Sequence, residues 1–248
     1  MTTYNDIGIA SDLDWDRIRH LLKIGIFASI LVLIGDMLMG WGSADPALTG
    51  TAGELSAYLE MSDTRIFWAS ILGFVGIPLE GLCYFAIYRV IAPYSQKLAH
   101  LYRSGIFGYI AFGGCGVHVP CLARIFFYKS MLSADPEAAL PATETFTNFF
   151  LVPGTLVLLI FVLILSVSHI LAFAKGLTPY PRWCWIFCLP MGMIATEVFT
   201  SFSHARLANA ISNGWISVAN LWMFVGLFLL SKKAEKSASL SSKNEVFS

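Results

Sequence analysis

The chain has 248 residues, of which 56% are hydrophobic and only 13% are charged, and its mean hydropathy is +0.68. A single water-soluble domain of this length does not have enough interior to cover so much apolar area, so the composition excludes a soluble globule and favours a membrane protein. The 16 basic and 16 acidic residues balance, so no surface of the kind that binds nucleic acid is expected.

The first twenty residues are expected to form a cytoplasmic N-terminal segment (1–20). They carry several aspartates among Arg17, Arg19 and His20, whereas a cleaved signal peptide has a basic start followed by an apolar core. The first apolar run is therefore expected to remain as a membrane anchor.

Six apolar runs follow, and each approaches the length that a membrane-crossing helix needs. About 20 apolar residues cross the hydrocarbon core as a helix, which satisfies its own backbone hydrogen bonds. The runs lie at 21–41, 66–92, 105–132, 146–174, 183–203 and 214–230. The sequence predicts an all-α fold, an integral membrane bundle of six transmembrane helices in a domain at 21–231. A disordered cytoplasmic tail at 232–248, rich in Ser and Lys, is expected to follow.

The distribution of Lys and Arg predicts the orientation of this bundle. Six crossings place both termini on one side, and only Arg65, Arg124, Lys129 and Arg206 of the 16 basic residues fall on the other side. Because cytoplasmic loops collect Lys and Arg, both termini are expected to be cytoplasmic. The expected location is the cell membrane, as a multi-pass protein in contact with membrane lipid.

The first outer loop contains a possible surface helix. Leu55, Tyr58 and Leu59 recur at helical spacing within 53–61, which favours a short amphipathic helix that covers whatever lies beneath it. A connector that packs its apolar side explains the spacing equally well.

Ionisable residues inside the apolar runs are the main functional candidates. A charge at mid-bilayer costs about 2.5–3.5 kcal/mol on insertion scales, so such residues usually face the bundle interior and have a partner. The predicted ligand-binding residues are Asp36, Glu80, His118, Glu197, His204 and Asn220. The ionisable members are expected to border one cavity that is open to the outside, with Arg124 and Arg206 at its mouth as counter-ions.

Two spacings support this interpretation. Glu197 and His204 flank Thr200 and Ser201 on one stripe of the fifth run, and Ser217 and Asn220 share a stripe of the sixth. The fourth run has no ionisable group between Asn148 and His169, so it is expected to be peripheral and to face lipid.

Structural explanations compete with the functional one. His118 follows a glycine-rich stretch and precedes Pro120, so it stands where a kinked helix frees a carbonyl for it to bind. Glu80 can be a protonated, locally bonded carboxyl, and the stripe of Glu197 can be a structural bond to Asn220. The five cysteines are expected to be inert buried thiols, and no catalytic residue, metal site or cofactor is assigned.

Several short motifs resemble an uncharacterised family of bacterial integral membrane proteins with six helices. They are GDML at 35–38, FWASILG at 67–73, VH at 117–118, PRW at 181–183 and SVANL at 217–221. The resemblance implies the six-helix count and singles out Asp36 and His118, and it implies no activity.

Three functions fit these patterns. The preferred one is a binding or transport protein whose outward-facing polar cavity accepts a small polar or amphipathic ligand. The second is an intramembrane metal-dependent hydrolase acting on lipid, with His118, His204 and a carboxylate as ligands. The third is a membrane scaffold or assembly partner. The sequence assigns no substrate, coupling ion or oligomeric state.

Overall fold

The structure is a computed structural model that describes residues 13–202 and 206–246, with side chains described as far as residue 239. These residues form helices and connections. The α-helices are α1 Trp15–Gly40, α2 Gly50–Ser56, α3 Asp63–Cys83, α4 Phe85–Ile91, α5 Gln96–Phe112, α6 Val119–Ala134, α7 Pro136–Phe146, α8 Val152–Ala174, α9 Leu189–Ser201, α10 Arg206–Asn213 and α11 Trp215–Val246. Two π-helical turns, Gly113–His118 and Thr147–Leu151, continue α5 into α6 and α7 into α8, and a 3-10 turn, Arg182–Ile186, precedes α9. The predicted all-α class is confirmed.

Five helices in the described residues are long and apolar enough to cross a bilayer, which indicates a membrane protein. They are Trp15–Gly40, Asp63–Ile91, Gln96–Ala134, Pro136–Ala174 and Trp215–Ser239. The three longest of these are made of consecutive helices. α3 continues into α4, and the π-helical turns join α5 to α6 and α7 to α8.

The predicted run at 183–203 is not one long helix. It is divided between the 3-10 turn and α9, which has only 13 residues. At 1.5 Å per residue α9 is about 20 Å long, less than the hydrocarbon thickness of about 30 Å. The break has a local cause, because Pro190 lacks a backbone N–H and sets the start of α9 in its first turn.

Helix ends also differ from the predicted boundaries where side chains cap them. Asp14 accepts a hydrogen bond from the backbone N–H of Arg17 and starts α1 at Trp15, six residues before the predicted run. At the other end of the chain, α11 continues to Val246, where the sequence predicts a disordered tail from residue 232. An ion pair of 2.6 Å between Arg19 and Glu235 holds this extension against the start of α1.

α8 is packed into the bundle on one side, so the prediction that the fourth run is peripheral and faces only lipid is wrong. Leu158, Val162 and Leu165 are buried, and a Cβ atom on Gly105 of α5 would lie 2.7 Å from Leu165 Cγ. A small residue therefore lets α5 and α8 approach closely. The sequence does not predict this face, because α8 is apolar on all sides. Its residues show no helical periodicity that would distinguish a buried face from an exposed one.

A short helix, α2, is present in the segment between α1 and α3, but it ends at Ser56, so Tyr58 and Leu59 of the predicted helix lie in the turn that follows it. Leu55 of α2 is fully buried and packs with Tyr128 of α6 and Ala139 of α7. The helix therefore lies across the neighbouring ends of α6 and α7 and covers them.

The two faces of α8 should respond differently to truncation. Leu165→Ala removes a side chain that is 1% exposed and packed on Gly105, and it should lower the free energy of unfolding by about 2 kcal/mol because a cavity remains. Leu163 is 61% exposed, so Leu163→Ala should cost well under half as much. Thermal unfolding of both variants in detergent tests this, and equal losses would contradict the packed face.

Candidate functional site

Seven buried polar residues lie along the contact between α1, α3 and α11, and we call them the polar seam. Their side chains come from four segments that are far apart in the sequence. Its members are Asp36, Glu80, Tyr84, Tyr109, His118, Ser217 and Asn220, and none is more than 7% exposed. They form two hydrogen-bonded clusters, one around Asp36 and one around Glu80.

The first cluster is built on His118, which lies between two helices. Its Nε2 atom is 2.9 Å from the backbone oxygen of Ala69 in α3. Its Nδ1 atom is 3.3 Å from Asp36 Oδ1 in α1. The hydroxyl of Ser217 in α11 donates to Asp36 Oδ2 at 2.6 Å. One carboxylate thus joins α1, the π-helical turn and α11.

These contacts fix where the imidazole protons are. A backbone carbonyl only accepts, so His118 Nε2 carries a hydrogen. Nδ1 then has two states against Asp36: it accepts a proton from a neutral carboxyl, or it donates as imidazolium to a carboxylate. The two states hold the same number of protons and differ only in which group carries the shared one, so the pair is a site that holds one proton between Asp36 and His118.

The local sequence explains how the imidazole fits between the helices. His118 ends the π-helical turn Gly113–His118, a kind of helix irregularity that often occurs at functional sites. A Cβ atom on Gly73 would lie 2.1 Å from His118 Nε2. Only glycine at this position lets the ring reach the oxygen of Ala69, one turn away on α3.

The second cluster is a chain of hydrogen bonds that ends at a carboxyl group. Tyr84 donates to Asn220 Oδ1, Asn220 Nδ2 donates to the Tyr109 hydroxyl at 2.9 Å, and that hydroxyl donates to Glu80 Oε2 at 2.8 Å. Glu80 Oε1 is buried and has no hydrogen-bond partner among the described residues. The chain therefore ends on an oxygen that is free to hold a proton.

The two clusters lie one above the other on the same helix contact. Ser217 and Asn220 are three residues apart on α11, about 4.5 Å along the axis. On the opposite side, Val32 of α1 lies one turn below Asp36, and a Cβ atom on Gly76 would lie 2.5 Å from its Cγ2 atom. An apolar layer thus separates the levels of Asp36 and Glu80 on the α1–α3 side.

The segment between α1 and α3 closes the end of the seam nearest Asp36. Glu54 of α2 accepts two hydrogen bonds, of 2.8 and 3.0 Å, from the buried guanidinium of Arg124. Tyr58 donates to Asn213 Oδ1 at 3.3 Å. Burial, with a further contribution from Glu54, raises the pKa of Tyr58 to about 12, so its hydroxyl stays protonated at neutral pH. Arg124 therefore pairs with Glu54 of α2. The sequence predicted instead that Arg124 is a counter-ion for the carboxylates inside the membrane.

The structure brings four of the six predicted site residues into the seam: Asp36, Glu80, His118 and Asn220. Glu197 lies instead on the exposed side of α9, where it accepts a hydrogen bond of 3.4 Å from Ser212. The buried face of α9 is formed by Gly192, Thr196 and Thr200, one residue out of phase with the predicted stripe. His204 lies outside the described residues.

Tyr84 and Tyr109 are the seam residues that sequence reasoning missed. A signal was available, because a tyrosine in the middle of an apolar run needs a hydrogen-bond partner for its hydroxyl. His169 was also passed over, but it does not join the seam. It is 1% exposed, and neither ring nitrogen has a hydrogen-bond partner among the described residues. Its ring stacks on Phe173 with a centroid distance of 4.3 Å.

Removing the Tyr109 hydroxyl should destabilise the protein through the groups it leaves behind. Tyr109→Phe strips Glu80 Oε2 and Asn220 Nδ2 of their partner, at a cost of about 1–3 kcal/mol. Tyr102 is a matched control, because it is equally buried and its hydroxyl makes no hydrogen bond to a described residue. Thermal unfolding of both variants in detergent tests the network, and Tyr102→Phe should stay within about 0.5 kcal/mol of wild type. Similar losses in both would mean that the hydrogen-bond chain contributes nothing.

Comparison with known proteins gives a family but no activity. No curated protein and no solved structure matches the chain. A family model matches residues 4–234, a range that includes the whole polar seam. This result agrees with the resemblance to an uncharacterised family noted in the sequence. The chain therefore belongs to DUF6796, a family of unknown function.

Proposed function

We propose that this protein crosses the cell membrane six times with both termini in the cytoplasm, and that it binds or transports a small polar or amphipathic ligand from the outside. In this proposal the polar seam carries the proton that accompanies the ligand. The observation that carries the proposal is the His118–Asp36 pair, a buried one-proton site stacked above a hydrogen-bond chain that ends at Glu80.

Contacts at the two ends of α1 support a sixth crossing through α9. Near the start of α1, the ring of Tyr180 packs against Trp15 with a centroid distance of 6.1 Å. At its other end, a Cβ atom on Gly40 would lie 2.6 Å from Asn213 Nδ2. The chain between Tyr180 and Asn213 therefore passes from one end of α1 to the other, and α9 covers about half of that path.

The same contacts support a common side for the two termini. The ion pair of Arg19 with Glu235 puts the start of α1 beside the second half of α11. This is also the side on which most of the Lys and Arg residues fall in a six-crossing arrangement, so the positive-inside rule places it in the cytoplasm.

The chemistry of the seam supports proton-linked binding more than a purely structural role. Ionisable residues in a bundle interior are expensive to insert and typically mark ligand paths or proton relays. Here two proton-holding groups, Asp36 with His118 and Glu80, lie at different depths of one helix contact. A structural bond alone needs no second level of ionisable groups.

Helix irregularities beside the seam support a moving part. The π-helical turn at Gly113–His118 and Pro78 within α3 both interrupt regular backbone bonding next to Glu80 or His118. Small rotations at these points can open the end of the seam under α2 without unfolding a helix.

The metal-dependent hydrolase is less well supported. Both ring nitrogens of His118 are engaged, by Ala69 and by Asp36. Within residues 13–202 and 206–246 no three His, Cys, Asp or Glu side chains are grouped closely enough to hold a metal ion, and His204, the other proposed ligand, lies outside these residues.

The proposed topology can be tested with single cysteines in a background in which the exposed Cys115 is replaced by alanine. A cysteine at Ser43, in the segment between α1 and α2, should react with a membrane-impermeant maleimide added to intact cells. A cysteine at Gln96, at the start of α5, should react only after the cells are permeabilised. The reverse labelling pattern would overturn the orientation and the outward site with it.

Proton-linked transport can be tested in liposomes that contain the purified protein and a trapped pH-sensitive dye. Pools of amino acids, organic acids, sugars and organic cations are added outside, and wild-type protein should give a ligand-dependent change in internal pH. Asp36→Asn and Glu80→Gln should abolish this change, because each removes one proton site. Glu137→Gln, which alters an exposed carboxylate on α7, should leave it within about twofold of wild type.

Three results would contradict proton-linked transport through the seam. A pH change that persists in Asp36→Asn and Glu80→Gln would show that proton movement does not depend on the seam. Ligand-induced thermal stabilisation without any pH change would support binding of the ligand without proton-linked transport. The absence of any response to every pool would favour the scaffold.

A further inference from the structure

A groove of about 480 Å³ lies on the perimeter of the bundle, where the end of α1 meets the start of α3. Its lining consists of four apolar side chains and one cation: Ile34, Met37, Leu38, Trp41 and Arg65. Ile34 and Trp41 are 45% and 44% exposed, so the groove is open to its surroundings. Its volume is in the range of about 300–1,000 Å³ that is usual for ligand pockets.

Arg65 is held at one end of this groove by a backbone contact. Its Nη2 atom donates to the carbonyl oxygen of Leu38 at 2.6 Å. Leu38 is in the last turn of α1, where carbonyls have no partner within the helix. The bond fixes the guanidinium over the helix end and leaves most of its five N–H donors for another acceptor.

The charge of Arg65 is not balanced by a described residue. Of the cations at the same end of the bundle, Arg124 is paired with Glu54 at 2.8 Å and Lys129 with Asp63 at 3.3 Å. Arg65 makes no ion pair within residues 13–202 and 206–246. Asp63, the nearest acidic residue in its own helix, is the one that Lys129 binds.

The groove runs from the membrane boundary toward the hydrocarbon. Trp41 follows the last residue of α1, and tryptophans are enriched at the headgroup level. Ile34 lies two turns earlier on α1, about 10 Å deeper along the axis. Arg65 therefore lies at headgroup level, at the open end of the apolar groove.

We propose that this groove is a specific site for a phospholipid with an acidic headgroup. The headgroup phosphate accepts hydrogen bonds from Arg65, and one acyl chain lies along Ile34, Met37 and Trp41. A small soluble anion uses only the cation, and a zwitterionic lipid brings no net charge to balance it. The acidic lipid satisfies both parts. This site is separate from the proposed transport function, because Ile34, Leu38 and Trp41 lie on the opposite face of α1 from Asp36.

The test is a titration of the purified protein in neutral detergent, read by native mass spectrometry. The probes are phosphatidylglycerol and phosphatidylcholine with identical chains, and glycerol phosphate without chains. Wild-type protein should bind phosphatidylglycerol about tenfold more tightly than phosphatidylcholine. Arg65→Gln should remove this preference, and Lys129→Gln, which alters a cation already paired with Asp63, should keep it. Ile34→Trp should weaken binding of both lipids by filling the groove.

Arg65→Lys keeps the proposal testable if Arg65→Gln lowers the melting temperature through the lost bond to Leu38. The lysine variant retains the charge and should retain a clear preference for phosphatidylglycerol. An unchanged preference in Arg65→Gln would overturn the proposal. Equal weakening of both lipids in that variant, or binding of glycerol phosphate as tight as that of the lipid, would also overturn it.

Discussion

Polar side-chain atoms in an apolar helical bundle have to find their partners on neighbouring helices, because neither hydrocarbon nor a packed core supplies any. In this protein the requirement is met at Asp36, whose two carboxylate oxygens bind His118 and Ser217. His118 in turn reaches the backbone of α3 at Ala69. One carboxylate therefore sets how α1, α3, α11 and the π-helical turn are arranged, and the second cluster around Glu80 follows from that arrangement.

The contrast between two buried histidines shows why partners matter more than burial. His118 and His169 are 6% and 1% exposed. His118 has both nitrogens engaged and shares a proton site with a carboxylate. His169 stacks on Phe173 and has no hydrogen-bond partner among the described residues. Only the first arrangement holds a proton between two groups that can each carry it, which is the property that the proposed proton-linked site needs.

The sequence predicted the helical class, the long apolar helices and four of the seam residues, because all of these depend on local composition. The predictions failed for α9, which is short, and for α8, which is uniformly apolar. In both helices the rotation about the helix axis determines which residues are buried. The buried face of α9 follows Gly192, whose missing side chain lets Ala219 of α11 approach, so Glu197 turns outward. In α8 the apolar residues surround the helix, and nothing in their spacing distinguishes Leu165 from Leu163. In both cases packing against the partner helix determines which face is buried.

The state of the His118 ring is the most direct test of the central claim. In protein labelled with ¹⁵N-histidine and held in lipid nanodiscs, both ring nitrogens can be followed by NMR between about pH 5 and pH 8. The account predicts that Nε2 keeps its hydrogen throughout, because it faces the carbonyl of Ala69, while Nδ1 gains or loses one. Assignment by comparison with His118→Gln is required. Loss of the hydrogen from Nε2, or no change at either nitrogen with and without ligand, would contradict a shared proton at Asp36 and His118.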